Sequence, residues 1–445
     1  MTQERTTPGL DAQTIREKHK RHLFPNVANY YAEPVAMARG EGHYLYDVDG
    51  RQYLDFFGGI LTVGVGHCRP EVVQAVQRQV ATLGHVSSLY PYEAEVTLAE
   101  RLGKLAPVDR PEGAPPKVFF TNSGTEADET AVVTARLFTG ASEVLALRHG
   151  YSGRSLLSMG LTGHAPWRHA AHLSVGIRHA HNAYCYRCPF GLSYPACDLR
   201  CARDAEELIR TETGGRVAAL LAEPLQGVGG VITPPREFFQ VLVGIVRKYG
   251  GVFICDEVQG GFWRTGIHFA SISHYGVQPE VVTLAKTIAN GLPMGATVAR
   301  ADVADAFRGL TISTFGGNPV VCAAAHATVD VMEREELGRR VAETGAYFFD
   351  RLRALGERHA LIGEVRGMGL MAGVELVRDR RTKEPAPAEL ARVMEATKKE
   401  GLLIGKGGLY GNVLRISPPM TVGRSEVDDA IARLDRALAA VGAPG

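Results

Sequence analysis

Val281-Val282-Thr283-Leu284-Ala285-Lys286-Thr287 reads as a short buried strand with a lysine just past its carboxyl end. Working outward, the same design recurs. Val118-Phe119-Phe120 runs into Thr121-Asn122-Ser123-Gly124-Thr125-Glu126, and Val144-Leu145-Ala146-Leu147 into Arg148-His149-Gly150-Tyr151. Ala218-Ala219-Leu220-Leu221 leads to Glu223-Pro224, and Val252-Phe253-Ile254-Cys255 leads to Asp256-Glu257. Helical patterns lie between several of these strands, such as Glu237 to Tyr249, which Gly250 and Gly251 terminate. Strands alternating with helices imply an α/β fold with a mostly parallel central sheet. In an open sheet of this kind, ligands bind beyond the carboxyl ends of the strands.

The flanks read differently. His43 to Asp47 and Gln52 to Phe56 surround Asp49-Gly50, a hairpin signal because Asp-Gly fits a φ > 0 turn. Pro70 opens an amphipathic helix to about Thr82. Beyond residue 330 the pattern predicts a long helix over about 329–355, Gly-rich strands, a helix over about 388–400, further strands, and a closing helix over about 424–440. Glu384-Pro385-Ala386-Pro387 reads as a short linker. The expected organisation is residues 1–69 as an N-terminal segment joining a small α+β domain, 70–328 as the large domain, and 329–445 as the rest of the small domain.

Composition narrows the function classes. The 445 residues carry 49 basic and 48 acidic side chains, a formal charge of +1, so no bulk attraction to nucleic acid or membrane follows. No apolar run approaches the ~18 residues a bilayer-spanning helix needs. The polar start Met1-Thr2-Gln3-Glu4-Arg5 lacks an apolar signal core, and Cys68, Cys255 and Cys322 are scattered singly. Both suit a cytoplasmic protein. Gly401 to Gly407 is one residue short of a P-loop, and Gly64-Val65-Gly66-His67 lacks a third correctly spaced glycine, so neither nucleotide signature is met.

The strand ends then assemble as chemistry. Ser123, Gly124 and Thr125 open a helix running to about Phe138, where free N–H groups and the helix dipole favour a phosphate; an ordinary Ser/Thr cap gives the same local pattern. Tyr151 is held at an exposed turn between glycines, suited to stacking on a flat heteroaromatic ring, although an aromatic beside a turn is commonly packing alone. Asp256 and Glu223 follow apolar strands, where ionisation is costly without a cation. Lys286 in such a place has a depressed pKa and a nucleophilic amine, unless it snorkels to solvent. Phosphate cradle, aromatic platform, carboxylate and amine together are what pyridoxal 5′-phosphate requires.

At these residues the chain resembles the class III (ω-amino acid type) aminotransferases of pyridoxal-phosphate fold type I, over nearly its whole length. The resemblance rests on Asn122-Ser123-Gly124-Thr125-Glu126-Ala127, Ile254-Cys255-Asp256-Glu257-Val258-Gln259, Leu284-Ala285-Lys286-Thr287-Ile288-Ala289-Asn290-Gly291 and Ser313-Thr314-Phe315-Gly316-Gly317-Asn318-Pro319. It implies that Lys286 forms the imine with the cofactor and shuttles the reaction's proton, and that Asp256 partners the pyridine nitrogen. Val258 would pack on the ring face opposite Tyr151, and Gln259 would bond the ring hydroxyl. Thr314 resembles the threonine that reaches the phosphate of a neighbouring subunit, which implies a homodimer with shared sites. Arg415 resembles the arginine that binds an amino acid's α-carboxylate, Glu223 its switchable salt-bridge partner, and Arg154 the second carboxylate-binding arginine of GABA and ornithine aminotransferases. Within the class, Asp55 to Val63 and the Cys-rich insertion look most like the mitochondrial-type alanine–glyoxylate aminotransferases. Arg69 replaces a common histidine and Asp128 a common asparagine, both expected to lie outside the chemistry.

The implied reaction is amino transfer between an α- or ω-amino donor and a keto acid such as pyruvate, glyoxylate or 2-oxoglutarate. An amino acid epimerase or amino-phospho-lyase on the same scaffold is the alternative, since these share the motifs. A binding protein with a dead site is disfavoured by the intact Lys286 and Asp256. No metal enters the expected site. Cys185, Cys188, Cys197 and Cys201 remain: the first pair has zinc-knuckle spacing, while reduced thiols or disulfides fit the insertion equally.

Overall fold

In the computed structural model, which describes residues 9–169 and 175–442, the strand that ends at Lys286 lies inside a seven-stranded sheet. In chain order its strands are β1 (Lys117–Thr121), β2 (Val144–Leu147), β3 (Ile177–Ala180), β4 (Ala219–Ala222), β5 (Val252–Asp256), β6 (Val281–Leu284) and β7 (Gly295–Ala299). Across the sheet they run β1-β7-β6-β5-β4-β2-β3. All neighbours pair in parallel except β7, which is antiparallel to both β1 and β6. The expected mostly parallel α/β architecture is therefore present. Every residue of β2, β4, β5 and β6 is buried, and a sheet covered on both faces needs such unbroken apolar runs.

Sequence reading passed over β3 and β7. Ile177-Arg178-His179-Ala180 is an edge strand with polar residues, and Gly295-Ala296-Thr297-Val298-Ala299 is built of small ones. Gly295 has to be small, because a Cβ there would stand 2.3 Å from the Ser123 carbonyl oxygen.

Both ends of the chain meet in one four-stranded sheet. The hairpin Tyr44–Asp47/Gln52–Asp55 forms as expected, with Gly50 at φ 84°, and Leu54 pairs in parallel with Leu402. A second, wholly antiparallel sheet runs Ile362–Met368, Met371–Leu376, Val413–Ile416, Gly405–Gly407. The helices Pro70–Thr82, Pro387–Lys399 and Arg424–Gly442 lie close to their expected bounds.

The single helix expected over about 329–355 is instead two, Pro319–Arg334 and Leu337–Arg358. Glu336 between them takes a left-handed φ of 49°, and its carbonyl accepts the first N–H groups of the second helix, from Arg339 and Arg340. The apolar repeat continues through this joint, so periodicity alone does not reveal the break. The expected division between residues 328 and 329 falls inside the first of these helices. Among the described residues no helix is long and apolar enough to cross a membrane.

Candidate active site

Lys286 follows β6 directly, with a left-handed φ of 50°, and opens a 3-10 turn, Lys286–Ala289. That geometry swings its amine back over the end of the sheet rather than out to solvent. It lines a cavity of about 330 Å³ together with Ser123, Gly124, Thr125, Asp128, Tyr151, Asp256, Val258 and Gln259. Burial depresses the Lys286 pKa, opposed chiefly by the charge of Asp256. Asp256 closes β5 and is 4 % exposed; the Val258 N–H donates to its Oδ1 at 2.9 Å. Burial pushes the Asp256 carboxyl above the usual carboxylate range, and Val258 and Lys286 act to lower it. Asp256 and Lys286 thus end neighbouring parallel strands, as a carboxylate and an amine facing one space.

The strand β1 delivers the chain into helix α1 (Gly124–Thr139). Ser123 caps it, its Oγ accepting the Glu126 N–H at 3.2 Å, while Glu126 reaches back to the Asn122 N–H at 2.6 Å. The cap and the phosphate reading are compatible. The cap uses the Glu126 N–H, and Gly124 and Thr125, whose N–H groups are among those a helix start leaves without an intrahelical partner, line the cavity. Gly124 has no room for a side chain, since a Cβ would lie 2.9 Å from Val258 Cγ1. This is a cradle fitted for backbone approach to an anion, with Tyr151 and Val258 lining the same cavity. An anion cradle, a slot for a ring, a buried carboxylate and an amine fit pyridoxal phosphate.

A second cavity of about 680 Å³ adjoins the first, sharing Thr62, Tyr151, Gln259 and Lys286. Its remaining walls include Tyr30, Phe57, Ile60, Trp167, Val228 and Leu403, and its buried charge is Arg415. Arg415 Nη2 donates to Gln259 Oε1 at 2.7 Å, its ring neighbour Phe57 is 5.3 Å away, and its Nε is buried with no partner among the described residues. A buried guanidinium with a spare donor is suited to completion by a ligand carboxylate. Burial pulls its pKa down, with Tyr30 and Glu223 opposing.

The direct Glu223–Arg415 salt bridge implied by the resemblance is not formed. Glu223 accepts the N–H groups of Tyr151 and Gly227, each at 2.9 Å. Gln259 stands between the two charges, its Nε2 donating to Glu223 Oε2 at 3.4 Å and its Oε1 taking Arg415. Two backbone donors already hold Glu223 in place, so a neutral amide bridges the gap. The Gln259 amide, expected on the ring hydroxyl, is occupied by this relay at both ends.

Other expectations fall outside the two cavities. Arg154 is exposed and lines neither, although its charge acts on Tyr151, which lines both. Thr314 is also exposed and lines neither cavity of its own chain. The four clustered cysteines are free thiols, and among the described residues no three His, Cys, Asp or Glu side chains are placed to hold a metal ion. Arg187 of that insertion is instead ion-paired with Glu375, which ties the loop to the strand Met371–Leu376.

Asp128, expected to be uninvolved, lines the cofactor cavity and is 1 % exposed. Its position was legible in principle: it lies four residues after Gly124, hence on the same helix face. The apolar residues Tyr30, Phe57, Ile60 and Trp167 carried no such signal.

The class-III aminotransferase family profile matches residues 27–438, and the chain belongs to that family. It is 40% identical over 431 residues to alanine–glyoxylate aminotransferase 2 homolog 2, mitochondrial, of Arabidopsis thaliana, covering 97% of this chain and 88% of that one. It is 35% identical over 439 residues to a leucine/methionine racemase of Thermococcus litoralis, covering 96% of both. The fold superposes with a TM-score of 0.87 on a PLP-bound amine transaminase from an uncultivated Pseudomonas species, at 32% identity, covering 95% of this chain and 99% of that one. The chain is an aminotransferase of fold type I that uses pyridoxal 5′-phosphate to move an amino group between an amino acid and a keto acid.

Proposed function

We propose that Lys286 is the amine that holds the cofactor and carries the reaction's proton, that Asp256 binds the ring nitrogen, and that Arg415 receives the α-carboxylate of the amino acid or keto acid. The observation that carries this is the convergence of Lys286 and Asp256 on one cavity, which opens into a second whose buried charge is Arg415. Pyridoxal phosphate, when bound, supplies an electron-accepting ring that lets a Cα–H bond break. The residues do the rest. Ser123, Gly124 and Thr125 hold the phosphate, Tyr151 and Val258 confine the ring, and Asp256 keeps the ring nitrogen protonated. Lys286, its basicity lowered by burial, takes a proton from Cα and returns it one carbon along the path. Tyr30, Phe57, Trp167 and Leu403 exclude water and favour donors with an apolar side chain and one carboxylate. Pyruvate, glyoxylate or 2-oxoglutarate serves as acceptor.

The protein acts as a homodimer, with Thr314 completing the partner's phosphate site. Supporting this, the apolar side chains of Leu310, Ile312 and Phe315 are exposed around Thr314. The N- and C-terminal segments form a small domain beside the large one, with the boundary near the joint at Glu336 rather than at 328, and the protein resides in the cytoplasm, in keeping with its free cysteines. Racemisation is the second reading, supported by the Thermococcus relative. A panel of amino donors assayed with and without keto acid separates the two, because a racemase turns over without an acceptor.

Lys286→Ala tests the central assignment. Borohydride treatment followed by mass spectrometry should find cofactor attached to the wild type and none to the variant, with turnover lost. Attached cofactor and a near-normal rate in the variant would overturn it.

A further inference from the structure

Asp128 is fixed against Asp256 by the register of the sheet. Asp256 on β5 lies directly beside Thr283 on β6, and Thr283 Oγ1 donates to Asp128 Oδ1 at 2.7 Å. Asp128 reaches this point from the first turns of α1, on the face that carries Gly124, so its carboxyl and that of Asp256 both stand beside Thr283 and line one cavity. Two buried carboxyl groups brought this close favour a state in which one of them keeps its proton.

The surroundings decide which. Asp256 accepts the Val258 N–H and faces the Lys286 amine, both of which favour its anion. Asp128 accepts only a neutral hydroxyl and has the carboxylates of Asp256 and Glu223 as neighbours, with Lys286 the weakest influence on it. The remaining titratable group against the pair is Cys255 on β5, whose thiol burial keeps neutral. Two buried carboxylates side by side cannot both ionise cheaply. Burial and Asp256 together raise the Asp128 pKa well above the ordinary value.

We propose that Asp128 is a neutral carboxylic acid that donates a hydrogen bond to Asp256, orienting that carboxylate toward the cofactor site and stabilising its charge. Asp128 is a positioning residue, since it acts through Asp256. The proposal rests on the assignment of Asp256 to the ring nitrogen.

Infrared spectroscopy of the cofactor-free protein tests the protonation state directly. The wild type minus Asp128→Asn difference spectrum at neutral pH should contain the carbonyl stretch of a protonated carboxyl group. Asparagine is the neutral isostere of the acid, able to accept from Thr283 and donate to Asp256. Asp128→Ala should therefore weaken cofactor affinity about tenfold or more, the typical cost of a lost hydrogen bond to a charged group. Asp128→Asn should restore that affinity, with an unshifted pH profile of turnover. No carbonyl band, or a displaced pH profile in Asp128→Asn, would mean that Asp128 is ionised and would overturn the proposal. If Asp256→Asn instead keeps full turnover while the carbonyl band is present, the ring-nitrogen assignment fails and the proton location stands.

Discussion

Arg366 and Arg415 are both buried in the wholly antiparallel sheet and both stand opposite Gly373, Arg366 from one side and Arg415 from the other. Directly opposed residues share a face, so the two guanidinium groups leave the sheet in the same direction. Gly373 between them has no side chain because a Cβ would lie 2.6 Å from the Gly230 carbonyl oxygen. From this common origin they are wired differently. Arg366 donates from Nε to Gly230 O at 2.9 Å, from Nη1 to Glu375 at 2.6 Å and from Nη2 to Tyr184 Oη at 3.2 Å. Arg415 has Gln259 on one nitrogen and, among the described residues, nothing on its buried Nε. Burial works against both charges; Tyr184, Glu375 and Glu364 more than offset it at Arg366, whereas Tyr30 and Glu223 fail to at Arg415. A buried cation with every nitrogen partnered is framework. One with a spare donor beside a cavity is prepared for a ligand.

Arg366→Ala breaks the framework side of this comparison. It strands Glu375, which is fully buried, without its strongest counter-charge, and removing one partner of a buried pair typically costs about 3–5 kcal/mol. Denaturant unfolding should show a loss of that size, and a change under about 1 kcal/mol would place Arg366 among surface-like pairs.

Arg415→Ala breaks the other side and should leave stability within about 1 kcal/mol, since it removes a cation that burial already penalises. Its effect appears in kcat/KM for α-amino acids, which should fall by about 2–5 kcal/mol of transition-state binding. Simple amines without a carboxylate should be nearly unaffected. Equal losses for both donor types would make Arg415 a second framework residue.

The same contrast exists among carboxylates and gives the smallest effect. Burial would raise Glu375, but Arg366 first, with Tyr184 and Arg187, holds it below the ordinary value. Glu257 is 1 % exposed, has Ser271, Ile272 and Cys255 as donors but no cation, and burial pushes it up to about 7. Between an unfolded value of 4.5 and about 7 the folded chain keeps a proton that the unfolded chain has released. The stability from this group is therefore complete below 4.5 and lost as pH rises through about 7. Glu257→Gln should remove that part of the decline, of the order of 3 kcal/mol over the window. An unchanged slope of stability against pH would show that Glu257 ionises normally.

The strands that hold the site, and the groups at their ends, were open to sequence reading because burial on both faces leaves uninterrupted apolar runs. Lys286, Asp256, Ser123, Gly124 and Glu223 each sit where such a run stops. The hairpin at Gly50 and the helix from Pro70 were legible from turn and cap chemistry within a few residues. The helix joint at Glu336 was not, because its left-handed residue interrupts the backbone without interrupting the apolar repeat.

Local pattern thus determined which residues arrive at the carboxyl edge of the sheet, and with them the cofactor and the class of reaction. It did not determine what those residues touch. Thr283 meets Asp128 across 155 positions of sequence, and Arg415 meets Gln259 across 156. Such contacts depend on strand register and on how the small domain lies against the large one, and no periodicity within a segment encodes either. Only the tertiary structure, therefore, placed Gln259 between Glu223 and Arg415, brought Asp128 and Asp256 together beside Thr283, and left the Arg415 Nε without a partner among the described residues.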